Sequence, residues 1–377
     1  MPESGGTENY MRKLTLLHAA DLHLDSTFES CSPEQAAERR AGQRELLFAL
    51  EELAEKRGVS AVLLSGDVFE GNSIKTETER DFNSALGALR CPVLIAPGNH
   101  DPYAAHSVWE TMRLPENVFI FKNAEIECAE FPGVPARFWG AGFQNTFCGP
   151  LLRGFSAPEK SDDIPDILVL HGDTGAGASD YCPISREDLI KCGMDYAALG
   201  HIHARTPLMR AGETAFAYPG CTEGRGYDET GKKGALLVTL SDGGVCAEFV
   251  PLGGVRYEIV SVDIGGKDAV SAIAGAVSGL TANDCFRLIL TGACSEPPDI
   301  GSLRKSLEGR FRELQLRDET VLKREVWALR GQDTLSGVYL DRLYIMYEAA
   351  AGDKERRKIE LAAQYGLSAI DSGGELL

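Results

Sequence analysis

The sequence is poor in several things, and each shortage excludes something. No two of its ten cysteines stand in Cys-x-x-Cys spacing, so a zinc knuckle and a thioredoxin-type redox motif are absent. Such cysteines are expected to be reduced, mostly buried, small apolar groups. Apolar stretches such as 59–64 and 167–170 fall far short of the roughly 20 residues that span a bilayer. Residues 1–13 are polar and lack the apolar segment of a secretory signal. They are expected to form a disordered leader, with Met11 as an alternative start, on a cytoplasmic protein with no membrane association. Positive charge is scarce as well: 38 Lys and Arg face 56 Asp and Glu, a net of −18. That is the wrong sign for a chain that coats nucleic acid unaided. Residues 1–253 carry most of the deficit, with 22 basic against 37 acidic residues, whereas 254–377 hold 16 against 19. Residues 300–330 are locally basic, eight against five. A metal-lined groove, or a partner that supplies basic surface, remains compatible with this balance.

Histidine is also rare, yet its placement is ordered. Of seven histidines, four lie in Asp21-Leu22-His23, Gly98-Asn99-His100-Asp101 and Gly200-His201-Ile202-His203. His171 follows the run Val169-Leu170, and Gly66-Asp67 adds a carboxylate. His18 reads as a satisfied core or edge residue and His106 as a surface or pocket-rim residue. Each motif alone is weak, because Gly, Asn and Asp also favour turns. Together, in this order and each after an apolar strand-like run, they are not a chance composition. His, Asp and Asn are the ligand types that a pair of divalent ions needs.

The periodicities place these motifs. A strand at 14–19 leads to Asp21. A helix follows, with Ser32 as N-cap, Pro33 at the first position, Gln35 closing a capping box and Gly58 ending it. A strand at 59–64 runs into Gly66-Asp67, a helix covers 76–90, and a strand at 92–96 runs into Gly98. This alternation predicts a largely parallel sheet covered on both faces. Residues 118–142 look β-rich. Strands at 167–170 and 196–199 flank a short helix near 185–191, and 206–250 read as antiparallel strands. A second unit reads as strand 257–264, helix 269–280, strand 286–291, helix 303–314 and strand 319–325. From 335 the pattern is helical, with Leu340, Leu343, Tyr344, Met346 and Tyr347 on one stripe.

In an open α/β sheet the carboxyl ends of the strands converge on one edge, where ligands bind. Distant motifs therefore meet there. Asp67 is suited to bridge two ions, and such a pair acidifies a shared water and clamps both oxygens of an in-line phosphoryl displacement. His100 is placed to protonate the leaving oxygen or to stabilise developing charge, with Asp101 available to orient its ring. Gly226-x-x-x-x-Gly231-Lys232-Lys233 resembles a phosphate-binding loop but lacks the hydroxyl residue after the lysine and the strand before it. It reads as a hairpin loop.

The pattern D-x-H, G-D, G-N-H-D, H, G-H-x-H resembles the calcineurin-like metallophosphoesterase superfamily, over about residues 14–250. Ala20 to Ser26, Gly98 to Pro102 and Tyr218 to Arg225 further resemble the SbcD-type DNA repair exonucleases, particularly their YhaO-like branch. That resemblance implies a four-layer αββα sandwich with a smaller α/β capping domain and C-terminal helices. It implies a catalytic domain at 14–253, a capping domain at 254–332, and a segment at 333–377 that docks on an SbcC-type SMC-like ATPase. It implies a 3′–5′ exonuclease with single-strand endonuclease activity on DNA ends, and relatives suggest a homodimer. The implied cofactors are two divalent ions, manganese first, with magnesium, iron(II) or zinc as the other candidates. One ion takes Asp21, His23, Asp67 and His203; the other takes Asp67, Asn99, His171 and His201. His100 becomes the transition-state histidine. Glu70, Tyr103 and Arg225 are the candidate substrate-binding residues. Many nucleases of this kind carry a histidine three residues after the bridging aspartate, where this chain has Glu70. Two alternatives stay open: a phosphatase or phosphodiesterase for a small nucleotide or phosphoprotein, and a binding subunit with a feeble site.

Overall fold

A computed structural model describes residues 13–29, 31–159, 164–175, 179–277, 283–322 and 326–371. The expected leader, apart from residue 13, lies outside the described residues. The chain divides into two compact units, one of 1–258 with 283–285 and one of 259–282 with 286–377.

The first unit holds β1 (Leu14–Ala19), α1 (Pro33–Arg57), β2 (Ala61–Leu64), α2 (Thr76–Ala88), β3 (Val93–Ile95), α3 (Val108–Thr111) and β4 (Val118–Ile120). It continues with β5 (Glu127–Glu130), β6 (Arg137–Gly140), β7 (Asp166–His171), α4 (Arg186–Lys191) and β8 (Tyr196–Gly200). β9 (Met209–Ala211), β10 (Thr214–Ala217), β11 (Gly234–Ser241) and β12 (Gly244–Pro251) complete it. One sheet runs β12-β11-β1-β2-β3-β4 and the other β5-β6-β7-β8-β10-β9. Alternation along β1 explains their stacking. Leu14 and Leu16 face a core shared with Phe138, Ile167, Val169 and Tyr196 of the second sheet. Leu17 and Ala19 face Leu47 and Leu50 of α1 and Phe82 and Leu86 of α2. The outer face of the second sheet, with Leu168, Leu170, Ala197 and Leu199, packs on Leu189 of α4 and on Met194. The layers are therefore α, β, β, α. The first sheet has helices on one face only; its other face meets the second sheet.

The capping box of α1 forms as read, with Gln35 N–H on the Ser32 hydroxyl and Gly58 left-handed at the end. One strand differs from expectation. β10 does not join β11; it pairs parallel with β8 and antiparallel with β9, inside the second sheet. The segment at 226–231 consequently connects strands of different sheets rather than forming a hairpin.

The second unit contains most of β13 (Tyr257–Asp263), α5 (Ala269–Ala276), most of β14 (Cys285–Thr291), β15 (Ala293–Cys294) and α6 (Ile300–Ser306). β16 (Glu313–Asp318), β17 (Val321–Leu322), α7 (Leu335–Ala349) and α8 (Asp353–Asp371) follow. The helix expected to reach residue 314 stops at Ser306. Leu314 and Leu316 instead alternate along β16 and pack with Phe286 and Leu288. A period of two won over a period of 3.6 in that segment. The strand expected at 319–325 reduces to β17, and 323–325 lie outside the described residues. Leu340 of α7 and Ala363 and Leu367 of α8 share a small core with Val326. No helix among the described residues is long and apolar enough to cross a membrane.

Candidate metal centre

The strand ends bring the seven expected ligands together. Asp21 and His23 follow β1, Asp67 follows β2, Asn99 follows β3, His171 ends β7, and His201 and His203 follow β8. Asp21, His23, Asp67, His171 and Asn99 are all buried. Asp21, His23, Asp67 and His201 hold positive φ angles of 53°, 46°, 51° and 102°. Left-handed backbone is unfavourable for residues with a Cβ, so the fold maintains local strain where these side chains must converge. Two glycines permit the approach. A Cβ at Gly66 would overlap the His171 ring, and one at Gly98 would overlap the Asp67 carboxylate.

The contacts form two groups around Asp67. In the first, His23 Nε2 lies 3.1 Å from His203 Nε2. His23 Nε2 lies 3.8 Å from Asp67 Oδ2, and His203 Nε2 lies 3.9 Å from Asp21 Oδ1. In the second, His171 Nε2 lies 3.4 Å from the same Asp67 Oδ2 and 3.0 Å from Asn99 Oδ1. His201 Nδ1 lies 3.2 Å from that amide oxygen.

The outward nitrogens of three of these imidazoles face oxygens elsewhere, that of His23 as a close ion-pair contact without an aligned hydrogen bond. Glu70 Oε2 lies 2.7 Å from His23 Nδ1, Glu229 Oε1 lies 2.6 Å from His203 Nδ1, and His171 Nδ1 lies 2.9 Å from the Ser65 carbonyl oxygen. An imidazole that donates from its outer nitrogen presents a lone pair at the inner one. The inner nitrogens and carboxylates therefore suit divalent ions. The spacing agrees: two nitrogens each about 2.1 Å from one ion, at right angles, lie about 3 Å apart.

A profile of the calcineurin-like phosphoesterase family matches residues 14–205. The chain is 33% identical over 343 residues to the uncharacterized metallophosphoesterase YhaO of Bacillus subtilis, covering 85% of this chain and 81% of YhaO. This chain belongs to the calcineurin-like phosphoesterase family. It is also 24% identical to the DNA double-strand break repair protein Mre11 of Methanopyrus kandleri, over 70% of this chain and 60% of that protein. The SbcD component of the nuclease SbcCD from Escherichia coli K12 is 26% identical, over 61% of this chain and 66% of that component.

As a calcineurin-like phosphoesterase, the chain has a hydrolase's site, open on one side. His100 is exposed there, its side chain 41% accessible, with Nδ1 held 2.9 Å from Glu70 Oε1. That contact raises the His100 pKa against the opposing effect of partial burial. Burial opposes ionisation of Asp67, yet the adjacent His171, then His23 and His100, hold its carboxyl well below the usual range. Burial likewise opposes a charge on His171, but Asp67 overrides it and raises His171 to about 9. Burial dominates at His23 and lowers its pKa.

One expectation needs correction. Asp101 does not orient His100. Its fully buried carboxylate accepts the backbone N–H groups of Gly98 (2.8 Å), Asp67 (3.1 Å), Val68 (2.8 Å) and Phe69 (3.3 Å), so it fastens two ligand loops to each other. Glu70, not Asp101, reaches the His100 ring. Tyr103 stands outside the cluster. Its N–H donates to Phe143 O and its ring packs on the first core, beneath Lys122. Glu70 and Arg225 do join the site, but they hold its histidines and each other. The sequence reasoning missed Glu229 altogether. Its one available signal was an acid close behind Arg225 in a loop that must return to the site.

Proposed function

We propose that this protein is a two-metal-dependent phosphodiesterase that hydrolyses DNA at its ends in DNA repair. The observation that carries the hydrolytic part is the pair of ligand groups sharing Asp67 beside an exposed, carboxylate-held His100. Asp21, His23, Asp67 and His203 would hold one divalent ion, and Asp67, Asn99, His171 and His201 the other. When bound, such a pair activates water and neutralises phosphate charge at neutral pH. His100 is the proton donor or charge stabiliser for the leaving oxygen, with Glu70 fixing its Nδ1 so that Nε2 serves the substrate. Asp101 keeps the Asp67 and Asn99 loops in register.

Likeness to Mre11 and to the SbcD component of SbcCD supports DNA as substrate. On that reading the activity is a manganese-dependent 3′–5′ exonuclease with single-strand endonuclease activity. The domain division at 14–253, 254–332 and 333–377 belongs to the same reading, with the middle part as a cap. An SbcC-type ATPase is the partner of the last segment. Exposed Leu335, Val338, Ile345 and Met346 on α7 and Leu361 and Tyr365 on α8 support a docking role for it. A homodimer and a cytoplasmic location complete the reading. The net charge of −18 favours a second reading, a phosphatase or phosphodiesterase for a small nucleotide or phosphoprotein.

The test is the full chain with manganese on end-labelled duplex and single-stranded DNA, alongside bis(p-nitrophenyl) phosphate. Shortening of DNA from the 3′ end supports the proposal. Hydrolysis of the small ester alone, even with the ATPase present, removes the nuclease reading and leaves the second one.

A further inference from the structure

Arg225 is held in place, because all three nitrogens of its guanidinium are engaged. Nη1 donates to Glu70 Oε2 at 2.9 Å, Nη2 to Glu229 Oε1 at 2.8 Å and Nε to Glu229 Oε2 at 3.3 Å. Its backbone N–H also donates to Glu229 Oε2 at 2.8 Å, and Nη2 lies 3.2 Å from His203 Nδ1. The two carboxylates that it joins are the ones facing the outer nitrogens of His23 and His203. The inner nitrogens of those histidines are the pair 3.1 Å apart. A closed ring results: His23, Glu70, Arg225, Glu229, His203.

Starting from the two-ion reading above, we propose that Arg225 is a positioning residue that sets the affinity of one ion site only, that of His23 and His203. Without the cation between them, the two carboxylates would repel one another, and each would move away from its histidine. A guanidinium satisfies both with a rigid fork, and so fixes where each carboxylate meets its imidazole. Among the described residues the ring has no hydrogen bond or ion pair to Asn99, His171 or His201, and His171 is held by the Ser65 carbonyl instead. Through Glu70 it extends to His100, the histidine on the open side.

The full chain, stripped of metal, is titrated with manganese by calorimetry while spin resonance counts bound and paired ions. In the Arg225→Gln variant, one of the two ions binds about 10–100-fold more weakly and the other as in the wild type. Arg225→Lys, which keeps the charge without the fork, recovers part of the loss. Glu70→Gln combined with Arg225→Gln costs less than the sum of the two single changes, since both break one ring. Wild-type affinity for both ions in Arg225→Gln overturns the proposal, and so does equal weakening of both. If Arg225→Gln does not fold, Glu229→Gln carries the test: it weakens the same single ion, and two unaffected sites in it overturn the ring. A wild-type chain that takes up fewer than two ions overturns the two-ion reading itself, a result separate from a two-ion wild type with an indifferent Arg225→Gln.

Discussion

His23 and His203 face carboxylates on side chains from separate loops, Glu70 and Glu229, whereas His171 faces the main-chain oxygen of Ser65 at the end of β2. The two sides of the centre share Asp67 and little else. A main-chain support comes into being when the sheets stack, so it is inseparable from the fold. A side-chain support depends on rotamers, neighbouring charges and a loop that must close over it. His171 is fully buried, while the His203 side chain is 30% accessible. On the two-ion reading proposed above, one ion site would be a product of the sandwich and the other of its loops, and substitution would tune the second without disturbing the first.

The largest expected effect abolishes the comparison. Asp67 belongs to both sides, so Asp67→Asn is expected to lose both ions. Several kcal/mol of charge stabilisation leave with them, and phosphodiester hydrolysis falls at least about 10³-fold. Metal content and rate measured on one preparation check this; two ions retained would separate Asp67 from the bridge. His100 belongs to neither side. His100→Gln is expected to keep both ions and to lower kcat roughly 10²–10³-fold, the worth of one proton donor. A loss of metal in that variant would make His100 a ligand.

These assignments were unevenly legible in the sequence. The ligands could be read because each closes a strand, and the strand ends of an open sheet meet by topology alone. Gly66 and Gly98 could be read as part of the motifs, although the reason for them, the approach of His171 and Asp67, is tertiary. The supports could not be read. Glu70 and Arg225 are 155 positions apart and belong to loops whose closure no local pattern records. Asp101 misled through adjacency: it stands beside His100 in the chain yet serves four backbone N–H groups. β10 misled through its neighbour, since it lies close before β11 in sequence but completes the other sheet. In the second unit Leu314 and Leu316 fit a helix or a strand in so short a window, and packing decided.

Proton affinity sharpens the comparison by a smaller amount. His171 is raised to about 9 by Asp67, whereas burial lowers His23. At neutral pH His171 must therefore give up a proton to an ion, whereas His23 need not. Lowering the pH by one unit below 9 is expected to weaken the His171-side ion by up to about tenfold, or 1.4 kcal/mol. The sign reverses for the metal-free fold. A raised histidine pKa adds stability that is complete below the unfolded value of 6.5 and lost as pH rises through about 9. Manganese titrations in buffers of different ionisation heat count the proton. Equal proton release on both sides would remove this distinction.

The smallest expected effect on metal is the most discriminating. Ser65→Ala keeps the carbonyl that meets His171 Nδ1, so manganese affinity is expected to stay at the wild-type value on both sides. What the variant loses is the hydroxyl, which donates to Ala198 O at 2.9 Å and lies 3.1 Å from Nε2 of buried His18. His18 retains Tyr196 OH at 2.8 Å. Leaving its Nε2 and the Ala198 carbonyl without this partner is expected to cost about 1–3 kcal/mol of stability, read from urea unfolding of the metal-free chain. Stability and metal affinity thus separate on the main-chain side. On the side-chain side, Glu229→Gln changes metal affinity directly. If Ser65→Ala weakened an ion as much as Glu229→Gln does, the His171 support would be no more secure than the carboxylates opposite. Main-chain and side-chain anchoring would then be equivalent in this centre.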